Sequence, residues 1–88
     1  MTNSERIAEL KEKIEHEYQE EYKYVRLFRP LIKDVEDLSK SFFSRIFNKG
    51  EIDRLNEKMQ GYADMANYHQ RRKCDYQDEL RELERALR

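Results

Sequence analysis

Two groups of cations carry the chemistry that this 88-residue sequence most openly offers. Lys23, Arg26, Arg29 and Lys33 lie in one stretch and Arg71, Arg72 and Lys73 in another, with Tyr22, Tyr24, Tyr68 and Tyr76 interleaved. Guanidinium and ammonium groups grip phosphate and phenol rings stack on bases, a combination that is the footprint of nucleic-acid binding. Against that reading stands a net charge of −1. Cations on helix faces commonly pair with carboxylates, here Glu20, Glu21 and Asp75, or with a partner's acids. Nucleic acid is therefore the second expectation and a protein partner the first.

The remaining polar residues assemble into no reaction centre. A nucleophile with its base, a glycine-rich phosphate loop and paired carboxylates in an apolar cleft are all absent as sequence patterns. His16 lies near Glu12, Glu17 and Glu20 at helical spacing, on what reads as an exposed face, and is a weak metal pattern. Cys74 is the only cysteine, which rules out an internal disulfide. No catalytic residue, metal or cofactor is expected. A small all-helical dimeric enzyme that binds an anionic substrate is the third expectation.

The elements that position these residues are easier to read. Ile52, Leu55, Met59, Tyr62, Ala66, His69, Lys73, Tyr76, Leu80, Leu83 and Leu87 recur at alternating spacings of three and four. That register predicts one helix of about 36 residues, roughly 54 Å long, with a single seam. A second stripe runs through Ile7, Leu10, Ile14, Tyr18, Tyr22, Val25, Phe28, Ile32, Val35, Leu38, Phe42 and Ile46. Thr2 and Glu5 fit a capping box at its start. With two glycines, one proline and 42% charged residues, helix is favoured nearly everywhere.

These signals predict an all-α antiparallel helical hairpin in one domain spanning 1–88. Its arms are a helix over 3–47, kinked or broken near 29–33 by Pro30, and a helix over 51–87, joined by a turn at 48–50. Gly50 suits a left-handed cap there. Opposing residue numbers then sum to about 98 around the turn. His69 and Lys73 are the polar residues on the second seam, where such side chains fix register at some cost in stability.

One helix cannot cover the apolar surface of the first arm, because Tyr24, Leu27, Leu31, Phe43 and Phe47 widen its stripe. A homodimer forming a four-helix bundle is expected. The function that follows is a non-enzymatic, coiled-coil-like interaction module acting stoichiometrically. It is read as an adaptor, or as a compact inhibitor of the kind made by phages, blocking another protein's surface. The candidate contact residues are Tyr22, Arg26, Arg29, Tyr68, Arg71, Arg72 and Lys73 in the middle and Phe43 and Phe47 beside the turn. No apolar run reaches the ~18 residues of a membrane span and no secretory segment is visible, so a cytoplasmic location without a membrane partner is expected.

Overall fold

The computed structural model describes residues 2–87, of which 93% are helical. Helix α1 spans Asn3–Leu38, α2 Phe42–Phe47 and α3 Lys49–Ala86. α1 and α3 pack against each other as the antiparallel arms of a rod measuring 64 × 15 × 14 Å. Residues 1 and 88 of the expected domain lie outside the described part.

Local chemistry explains where the helices begin and end. Thr2 accepts a hydrogen bond from the Glu5 amide at 3.2 Å, satisfying one of the free donors of the first turn. The interruption expected at Pro30 does not occur, and helix α1 runs through it to Leu38. Pro30 lies on the exposed face, where water can reach the Arg26 carbonyl that loses its helical donor. The chain breaks instead at Ser39–Ser41, because serine side chains compete for the helical backbone. Ser41 then caps α2, accepting from the Ser44 amide at 3.0 Å.

The turn differs from expectation for a related reason. Gly50 is helical, and no residue has a positive φ, so the left-handed cap is not used. Asn48 does the work by separating α2 from α3 and donating its side-chain amide to the Leu38 carbonyl at 3.4 Å. The hairpin therefore folds about the whole segment between Leu38 and Lys49. Facing pairs such as Arg6 with Glu79, Lys13 with Tyr76 and Tyr24 with Tyr62 have numbers summing to between 85 and 89, not about 98.

The second-arm seam behaves as its spacing predicts: the positions from Ile52 to Leu83 are covered, while Leu87 is exposed at the fraying end. The register crosses Gly61 without a break. On the first arm the covered positions are Ile7, Leu10, Ile14, Glu17, Glu21, Tyr24, Phe28, Leu31, Val35 and Leu38. Tyr18, Tyr22 and Ile32 were expected on this seam and instead point outward. The strict heptad spacing of the covered set keeps one stripe against a straight partner, and that geometry overrides side-chain polarity at Glu17 and Glu21.

Hydrocarbon burial is correspondingly thin. Among the described residues only Leu10 and Leu55 are fully buried apolar side chains. Leu55→Ala is expected to cost roughly 2 to 5 kcal/mol in urea unfolding at fixed protein concentration. Phe47→Ala, at a position 84% exposed, should change stability by less than about 0.5 kcal/mol. Equal costs would show that the turn end belongs to the core.

Candidate functional site

The middle of the rod is organised by a carboxylate. Glu17 is 3% exposed, although its neighbours His16 and Tyr18 face water. This corrects the expectation that Glu17 shares the outer face with His16. Its Oε2 lies 2.5 Å from His69 Nδ1, and its Oε1 lies 3.2 Å from Arg72 Nε. A buried carboxylate at this contact requires the proton on Nδ1, which fixes the imidazole tautomer. One turn further along, Lys73 Nζ meets Glu21 Oε2 at 3.1 Å. The two polar seam residues of α3 are thus answered by two acids on the seam of α1.

Aromatic rings enclose this layer. The His69 ring stacks on Tyr24 with centroids 5.8 Å apart and meets Tyr68 edge-on at 5.1 Å. Lys73 Nζ lies 5.4 Å from the Tyr18 ring centroid. Arg72 is held by three partners: besides Glu17, it donates to the Tyr68 hydroxyl at 2.7 Å and to the Tyr76 hydroxyl at 2.9 Å. Tyr68 first, then Tyr76 and the charge of Glu17, raise the Arg72 guanidinium further above its already high ordinary value. It remains cationic wherever the fold survives.

This arrangement redistributes the expected contact residues. Arg72 and Lys73 are engaged inside the molecule, so they contribute less free charge to the band than their sequence position promises. Arg26 lies over the Tyr22 ring at 5.7 Å. Arg29 and Arg71 are exposed and make no ion pair among the described residues. Tyr22 and Tyr68 remain substantially exposed. Phe43 and Phe47 sit at the turn end, about 20 Å along the helices from Tyr24 by the helical rise, and form a separate surface.

Beside the polar layer an open groove of about 360 Å³ lies between the arms, lined among others by Val25, Phe28, Ile32, Ala63 and Ala66, with Arg29 beside them. Its small alanines admit a close approach by another backbone. A His–Glu pair can serve as a base with its orienting partner, but no hydroxyl or thiol nucleophile hydrogen-bonds to His69 among the described residues. Nor does any group of three or more His, Cys, Asp or Glu side chains among them fit a metal ion. No protein-family model, curated protein or solved structure matches this chain.

Glu17 is the residue that sequence reasoning missed. Its signal was present in the spacing, since Ile14, Glu17, Glu21 and Tyr24 continue the heptad steps, and a pattern built on apolar residues alone steps one position aside. Glu17→Ala is expected to destabilise by about 3 to 5 kcal/mol, because His69 and Arg72 lose a buried acceptor. Replacing Glu17 and His69 together by leucine should recover most of that loss in a double-mutant cycle. Additive costs would show that the two side chains are not coupled.

Proposed function

We propose that this chain is a non-enzymatic helical interaction module that acts stoichiometrically, as an adaptor or as an inhibitor that occupies another protein's surface, and that it self-associates through its mid-rod face. One observation carries the reading. The chain exposes 6795 Å². A folded monomer of 10.9 kDa is expected to expose only about 5,600 Å². An excess of roughly 1,200 Å² per chain is what a stable interface removes, since two copies together would bury an area in the range of permanent complexes.

The character of that surface supports a protein rather than a nucleic acid as its cover. The groove of Val25, Phe28, Ile32, Ala63 and Ala66 is mostly apolar. Phosphate contacts need free cations, and two of the seven in the middle band are engaged by Glu17 and Glu21. Leu27 and Met65 add exposed hydrocarbon to the mid-rod surface, while Tyr22 and Tyr68 supply area with a polar tip. Such a surface gains from being covered and has no evident use in water.

Sedimentation equilibrium of the full chain should give a dimer or larger species at micromolar concentration. Ile32→Glu, which places a charge on the groove from an exposed position, should shift it to monomer. Affinity capture from native lysate followed by light scattering should yield a complex of fixed integer stoichiometry. A chain that remains monomeric at high concentration and captures nothing would contradict the reading.

A further inference from the structure

The short helix α2 is turned inside out. Phe42, Phe43, Ile46 and Phe47 recur at steps of one and three and so occupy one side of a helix, with Ser44 and Arg45 on the other. In a connector that merely closes the end of a bundle, the aromatic side would pack inward. Here Ser44 and Asn48 are the partly covered positions, while all four large apolar side chains are more than half exposed, from Ile46 at 57% to Phe47 at 84%. The same segment carries Lys40, Arg45 and Lys49 and no acid between Ser39 and Gly50. An open groove of about 490 Å³ runs beside it, with Phe42, Ile46 and Ile52 on its walls and Arg45 and Lys49 among its lining residues.

We infer that the turn end of the rod is a seat for an anionic phospholipid surface, with Phe43 and Phe47 entering the headgroup and acyl boundary and Lys40, Arg45 and Lys49 meeting lipid phosphates and carboxylates. This goes beyond the proposed interaction module and is independent of it, because it uses a surface about 20 Å from the mid-rod face. Aromatic and aliphatic side chains beside basic ones are the composition of interfacial membrane contacts, which need no spanning segment. No described helix is long and apolar enough to cross a membrane. The sequence-based expectation of no membrane partner rested on that absence alone.

Two other occupants fit less well. Four such side chains offer roughly 500 Å² of exposed area, so two tips facing each other would bury about 1,000 Å² at most. That falls short of the ~1,200 Å² at which stable interfaces begin. Pairing two tips would also bring six cations together. The salt bridges present are exposed and weak competitors for a lipid headgroup: Lys40 with Asp37 at 3.3 Å and Lys49 with Asp53 at 3.9 Å, while Arg45 has no ion-pair partner among the described residues. A protein groove would need its own acids around an aromatic pocket, whereas a bilayer containing phosphatidylserine presents both chemistries at once.

Flotation of the full chain with vesicles of phosphatidylcholine, with and without phosphatidylserine, tests this. The chain should float with the anionic vesicles, less so at high salt, and only weakly with the neutral ones. Phe43→Ser/Phe47→Ser should lower partitioning by about tenfold or more on both vesicle types. Arg45→Glu should lower it roughly tenfold on the anionic vesicles alone. Circular dichroism of each variant should match the unaltered chain, and if the double variant loses helix, Phe47→Ser alone decides the matter. Absence of flotation at every lipid concentration, or flotation that none of these changes reduces, would overturn the inference. So would a drop in oligomeric state of the Phe43→Ser/Phe47→Ser variant without vesicles, which would assign the tip to a second copy. Loss of a captured protein partner by that variant, with no flotation of the unaltered chain, would assign it to a protein groove; neither result bears on Ile32→Glu.

Discussion

A hairpin of two helices has one seam, and this molecule gives the middle of that seam to charge. Burying the Glu17 carboxylate is unfavourable unless both oxygens are answered, and His69 and Arg72 answer them from the opposite arm. Glu21 and Lys73 repeat the arrangement one turn away. A slip of the arms by a single helical turn would leave these groups facing hydrocarbon. The polar layer therefore specifies the register strictly while contributing little net stability, which is the recognised use of polar residues on coiled-coil seams.

The rest of the molecule follows from that division. With the middle of the seam polar, fully buried apolar contact is confined to Leu10 toward the open end and Leu55 toward the turn. The aromatic residues that would fill a broader core lie beside the seam instead. Tyr24 and Tyr68 flank His69, Tyr18 and Tyr22 stack on the outer face, and Tyr76 supports Arg72. At the open end Arg6 links Glu9 to Glu79, and the hydrogen bond from Lys13 holds the Glu9 carboxyl below its ordinary range. Those pairs are exposed and orient the ends rather than anchor them.

How much of this the sequence disclosed depended on which signal was unambiguous. The second arm was legible almost to its end, because Leu55, Met59, Ala66 and Leu80 hold one phase and His69 and Lys73 interrupt polarity without interrupting spacing. The first arm offered two adjacent stripes in its middle. Tyr18 and Tyr22 are the more apolar choice and Glu17 and Glu21 the correct one, since the acids had partners on the facing seam that no pattern within one arm displays. Pro30 and Gly50 misled as punctuation for a common reason. Proline is tolerated where its orphaned carbonyl faces water, and glycine marks a stop only when the chain needs a left-handed residue. Two serines and Asn48 made the turn by side-chain hydrogen bonding, displacing the pairing of the arms by about ten residues from the expected register. The candidate contact residues were legible as types, but which of their charges remain free was settled only by the fold.

The central claim is that a single copy of this hairpin lacks the buried hydrocarbon to hold its middle firmly and acts by having its mid-rod face covered. Amide hydrogen exchange measured over a range of protein concentrations tests it most directly, because local opening free energies report coverage residue by residue. The account predicts that protection in the middle of α1 and α3, around Phe28 and Ala66, rises with concentration, while the amides around Leu55 change least. Strong protection throughout both helices that is independent of concentration, in a chain that stays monomeric, would contradict it.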